Sequence, residues 1–308
     1  VTLAENARAT LDLVADARAT LGEGPVWDAA RGVLWWVDIT AGHVHRFEPP
    51  TGEDRAIDVG SAVGAVALRR DGSLLLALLD GLATLDPEGR RPEILLPMAA
   101  GAGLPGGSPR RCNDGKCDPA GRFWVGRMAM DLAPGAGSLL RVDPDLGVVT
   151  RLEGLTIPNG LGWSPDGSVM YFTDSTWGEV RVYPYDPVTG AMEESRTLVR
   201  LPDDGSVPDD GSVPDGLTVD AEGCLWVAMW GGGRVVRVAP DGEVVDRVEL
   251  PVSRVTSCTF GGDDLGDLYV TTAREGATPA ELAREPLAGG LFRCRPGVRG
   301  MLPVPFAG

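Results

Sequence analysis

Residues 164 to 174 read SPDGSVMYFTD, a polar turn closing on Asp-Gly and then a run dominated by Val, Tyr, Phe and Thr. β-Branched and aromatic residues that follow an Asp-Gly turn mark a strand leaving a hairpin. The pattern recurs as DAARGVLWWVD (28 to 38), RRDGSLLLAL (69 to 78), DPAGRFWVG (118 to 126), DAEGCLWVAM (220 to 229) and DDLGDLYVTT (263 to 272). Each copy is followed by a second strand-like element that ends in another turn, from GHVHRFEPPTG in the first unit to GGLFRCRPG in the last. Six such units, spaced by about 45 residues, predict an all-β fold, a six-bladed β-propeller that protects its sheet edges by closing a ring. Two stacked β-sandwiches would also bury such strands, but nothing in a sandwich demands a fixed period over the full length. A single domain over residues 1–308 follows, in which a segment at about 12–20 adds a strand to the last blade and latches the ring. The one helical pattern is ATPAELARE (277 to 285).

Composition narrows the partners. Forty-four acidic side chains face 28 basic ones, a formal net charge of −16, which disfavours nucleic acid and anionic membranes. Apolar runs such as SLLLALL (73 to 79) fall far short of the roughly 20 residues that cross a bilayer. The opening segment lacks the basic region and unbroken apolar core of a secretory signal, so cytoplasmic residence is the expectation. Five cysteines, at 112, 117, 224, 258 and 294, form no CxxC pair and are read as reduced thiols in strands.

Counting back from the turn glycines exposes a site. Eight residues before Gly121, Gly167 and Gly223 stand Asn113, Asn159 and Asp215; Glu23 takes the same place in the first unit, and Gly64 and Cys258 in the second and sixth. The innermost strands of a propeller surround a central channel, so four oxygen-bearing side chains converge at one mouth of it. Taken singly, Asn-Gly and Asp-Gly are turn formers. The shared register is what points to a site. It also selects Asp215 over Asp204 and Asp210, which lie in two copies of DDGSVP where proline interrupts any strand. Two carboxylates and amide oxygens at one point repel unless a cation lies between them. Oxygen donors without His or Cys suit one divalent cation, Ca, Mg or Mn, with Zn as a further option. His43 and His45 are read as surface residues on one face of an edge strand.

LGEGPVW, RCNDGKCDPAGRFWVG, PNGLGWSPDG, PDGLTVDAEGCLWVA, GGRVVR and SCTFGG together resemble the gluconolactonase/regucalcin family, the senescence marker proteins, from about residue 13 onward. The resemblance implies a six-bladed propeller that binds one divalent cation and hydrolyses a small-molecule sugar lactone. It implies Glu23, Asn159 and Asp215 as metal ligands, Arg111 and Asn113 as holders of substrate hydroxyls, and Asp131, in GRMAMD, as an acidic substrate contact. Arg127 stands where many relatives carry Thr, and Met130 where they carry another acid; both bear on sugar specificity and on the role of Asp131. Asp215 is the candidate catalytic residue, nearest the attacking water. No Gly-Xaa-Ser-Xaa-Gly elbow and no phosphate loop is present; GGDDLG and WGGGR read as turns. Two rival readings keep the fold: a metal-dependent organophosphate or aryl-ester hydrolase, and a non-enzymatic calcium-binding propeller.

Overall fold

The computed structural model describes residues 10–88, 91–98, 108–201 and 211–308. Six antiparallel sheets follow one another along the chain, and each runs outward from an inner strand. The inner strands are Gly22–Asp28, Val63–Leu68, Arg110–Cys117, Pro158–Trp163, Val213–Val219 and Val255–Gly261, which number blades one to six. Asp204 and most of the duplicated hexapeptide, Asp210 included, lie outside the described residues.

Ring closure comes from the N-terminal strand Asp12–Ala15, which pairs antiparallel with Leu291–Cys294 as the outermost strand of blade six. This strand is shorter than the expected 12–20, because the chain turns away before Arg18, which takes a left-handed φ of 52°. The late helical pattern forms a helix, Pro279–Arg284, and Thr278 and Glu281 close its capping box.

Blades one, three and five share one clip. Asp28, Asp118 and Asp220, each at the end of an inner strand, accept from the indole N–H of Trp35 (3.4 Å), Trp124 (3.1 Å) and Trp226 (3.0 Å). All three indoles are fully buried, so each contributes roughly 4–6 kcal/mol of gross hydrophobic stabilisation. These tryptophans are core, because the second strands that carry them are buried on both faces. His45 departs from the expectation. Its ring is buried against Trp36 at 3.9 Å and its Nδ1 lies 2.7 Å from Asp54, so it belongs to the core of blade one and not to the surface. The reason is lateral pairing: in this blade the third strand is covered by a fourth, Glu53–Asp58, and His45 sits between Trp36 and Ala56.

Candidate metal and substrate site at the hub

All six inner strands break register once, between Glu23 and Val26, Val63 and Ala65, Cys112 and Gly115, Pro158 and Leu161, Pro214 and Leu217, and Val255 and Ser257. Such a bulge re-aims a side chain that strict alternation would place elsewhere. Asn113, Asn159 and Asp215 lie inside the break, and Glu23 at its edge. The glycines that follow Asn159 and Asp215 answer a close approach between blades, not a turn. A Cβ on Gly160 would stand 2.5 Å from the Asp215 carbonyl oxygen, and one on Gly216 would stand 2.2 Å from Ser257 Oγ.

In the sixth blade the count from Gly266 fails. The left-handed turn position there is Leu265, with φ 56°, one residue earlier. Counting from Leu265 reaches Ser257, while Cys258 pairs with Val270 in the regular ladder. A slip of one residue exchanges the faces of the strand.

Glu23, Asn113, Asn159 and Asp215 are each about 5 % exposed. Asn159 Nδ2 donates to Ser175 Oγ at 3.1 Å, and Asn113 Nδ2 donates to the Pro158 carbonyl at 2.8 Å. Arg111 Nη1 donates to Asn113 Oδ1 at 2.6 Å and to the Cys112 carbonyl at 3.0 Å, so Arg111 and Asn113 form one unit. Glu23 Oε2 accepts from the Gly24 amide at 3.0 Å. Two buried oxygens, Asn159 Oδ1 and Asp215 Oδ1, have no hydrogen-bond partner. Leaving such atoms unmatched costs on the order of 1–3 kcal/mol each, more when charged, so both oxygens have capacity for a hydrogen-bond donor or a cation.

Electrostatics agree. Burial raises the proton affinity of Glu23 well above the usual carboxylate range; Asp215 and Asp114 add to this, while the Gly24 amide and Arg111 oppose it. Asp215 is raised likewise, by burial and then Asp114, against Asn159, Arg111 and the Gly216 amide. Among the described residues no three His, Cys, Asp or Glu side chains stand at mutual ligand spacing. The donor set that fits is therefore mixed, with Glu23, Asp215 and the amide oxygen of Asn159, all hard oxygens suited to a divalent cation.

Sequence reasoning missed Asp114, Lys116, Ser175 and Ser257. Asp114 directly follows Asn113 inside the bulge, where two consecutive residues both turn inward, and alternation gives no hint of that. Burial raises its carboxyl, against Lys116 and the Gly115 amide. Lys116 Nζ crosses the channel to the Leu217 carbonyl at 2.7 Å. Below the hub the channel opens into a cavity of about 310 Å³ lined by Asp114, Lys116 and Ser257 and by residues 301–304. Phe306 is buried beyond it and bridges to Arg69 of blade two. Asp131 stands apart from this cluster. It is exposed on the loop after Phe123–Ala129, where it accepts from Ser108 Oγ (2.5 Å) and the Ala133 amide (3.2 Å).

Fold and hub together define a six-bladed propeller that carries an oxygen-donor site at the mouth of its axis. The SMP-30/Gluconolactonase/LRE-like sequence profile matches residues 21–274, and the chain belongs to that family. It is 38% identical over 296 residues to regucalcin of Xenopus laevis, covering 94% of this chain and 95% of the relative. It is also 38% identical to the 6-deoxy-6-sulfogluconolactonase of Pseudomonas putida, over 97% of this chain and 99% of that protein. A putative sugar lactone lactonase of Bacillus subtilis is 37% identical, over 96% and 98%. Among solved structures, a regucalcin of Agrobacterium tumefaciens, described as a calcium-binding protein, superposes with a TM-score of 0.88 at 29% identity, covering 97% and 98% of the two chains. No described helix is long and apolar enough to cross a membrane.

Proposed function

We propose that the chain is a divalent-metal-dependent hydrolase that opens sugar lactones. The observation that carries this reading is the pair of buried, partnerless oxygens on Asn159 and Asp215, beside Glu23 and beneath the Arg111–Asn113 pair. A divalent cation held by Glu23, Asn159 and Asp215 would supply Lewis-acid polarisation of the lactone carbonyl and charge stabilisation at its oxygen. Arg111 and Asn113 present N–H donors to the sugar hydroxyls and orient the ring; Asp131 contributes from the outer rim. Asp215 accepts a proton from the attacking water, whose oxygen bonds to the acyl carbon. The ring C–O bond then breaks, and the alkoxide oxygen leaves as a hydroxyl after taking up a proton. The product is the open hydroxy acid. Burial and the charge of Asp114 raise the proton affinity of Asp215, opposite in sign to the lowering that a bound cation would impose. All five cysteines are free and buried, which supports a reducing, cytoplasmic setting.

Proton release from a panel of aldonolactones, measured after chelation and again with Ca, Mg, Mn or Zn restored, tests the proposal. Turnover should vanish with chelator and return with at least one cation. Activity that survives complete chelation refutes metal dependence. Hydrolysis of phosphotriesters or aryl esters, and of no lactone, would move the chain to another substrate class.

A further inference from the structure

The WGGGR segment, whose glycines form a turn, carries Trp230 to the rim of the same mouth. Trp230 ends the second strand of blade five and pairs with Val213, two residues before Asp215. It also bridges to Arg254, which immediately precedes the inner strand of blade six. The indole is half-buried and packs against the apolar cluster that contains Leu21 and Ala273. Trp230 also lines an open cleft of about 580 Å³, together with Ser253, Arg254, Glu281, Arg284 and Glu285.

The cleft is held in shape from both sides. Glu285 Oε2 accepts from the amide and the hydroxyl of Ser253, each at 2.9 Å, and so fixes the helix-bearing loop to the start of the inner strand. The Arg254 guanidinium makes long contacts among the described residues, 3.3 Å to the Gly276 carbonyl and 3.7 Å to Glu281, which leaves donor capacity toward the cleft. Two arginines and two glutamates sum to zero charge, so the lining selects neither an anion nor a cation. An aromatic ring beside paired acidic and basic side chains instead suits a neutral ring rich in hydroxyls. Indole covers its C–H face, while carboxylate and guanidinium bond its diols.

We propose that this cleft is a second sugar subsite, which seats a neutral pyranose joined to the lactone at the hub and so favours lactones of disaccharides. The proposal rests on the lactonase reading for its kinetic consequence, but not for binding. The test compares kcat/KM for cellobionolactone and gluconolactone in the cation-loaded protein, alongside calorimetry of cellobiose with the chelated protein. The wild type should prefer the disaccharide lactone and bind cellobiose saturably. Trp230→Leu, which retains apolar packing, should lower both the preference and the cellobiose affinity about three- to tenfold. Arg254→Met, which leaves Trp230 in place, should lower both in the same direction. A preference unchanged in both variants, or no binding of cellobiose by the wild type, overturns the subsite. If neither lactone is hydrolysed while cellobiose binding persists and depends on Trp230, the hydrolase reading falls and the subsite stands.

Discussion

Replacing Asp215 with Asn should stabilise the protein in chelator and lose part or all of that advantage when cation is present. The hub brings Glu23, Asp114 and Asp215 together, and the proton affinities of all three are raised. A carboxyl that holds its proton more tightly folded than unfolded binds more protons in the native state. Its contribution is therefore present at low pH and is lost as pH rises from the unfolded carboxylate range through the raised native value. Each tenfold difference in proton affinity amounts to about 1.4 kcal/mol. At pH 7.5 without cation, the native wild type thus carries strain that the neutral amide of the Asp215→Asn variant would relieve. Removing one poorly compensated buried charge is worth roughly 1–3 kcal/mol. For a chain of this size, about 2 °C per kcal/mol gives a rise in Tm of about 2–6 °C. With cation at a hundred times its Kd the wild type gains roughly 3 kcal/mol, and a variant lacking one ligand oxygen gains less, so the variant's advantage shrinks by the difference. Scanning calorimetry in chelator and in millimolar Ca or Mg reads both arms. If Asp215→Asn melts below the wild type by the same margin in both buffers, the carboxylates are not in mutual conflict and the hub is no cation site.

Arg111→Met should act in opposite directions on two ligands. Loss of the guanidinium raises KM for a lactone about tenfold or more, whereas removal of a positive charge near Glu23 and Asp215 tightens the cation; equal weakening of both in kinetics and calorimetry would count against its placement. The thiols should be inert in the native fold at pH 8, because burial pushes Cys112 up to about 11 and Cys258 and Cys294 up to about 12. Titration with an aromatic disulfide should find fewer than one reactive thiol per chain before denaturation and five after it; two or more in the native protein would contradict the packing. His45→Ala removes the stack on Trp36 and strands Asp54, at a cost of about 2–4 kcal/mol in urea unfolding. A loss below about 0.5 kcal/mol would return His45 to the surface.

Several features of this protein were legible in the residues alone because they are local. Asp-Gly turns and the β-rich runs behind them encode each hairpin within about ten residues, and their repetition leaves few folds but a closed ring. The spacing from turn glycine to oxygen donor likewise grouped Glu23, Asn113, Asn159 and Asp215 as one candidate set, although the sixth blade departs from the count by one residue. What lies between blades was not legible. Asn159-Gly160 and Asp215-Gly216 have the composition of turns, yet they are strand, at points where neighbouring blades approach so closely that a Cβ would collide. Asp114 enters the hub through a bulge, Ser257 replaces Cys258 because one turn places its left-handed residue a position early, and His45 is buried by a neighbouring strand. Trp230 gains its cleft from a helix about fifty residues further along the chain. Pattern along a chain specifies which strands form and which face of each is apolar. Which side chains meet at the axis depends on where alternation breaks and on contacts between distant residues, and only the closed ring decides those.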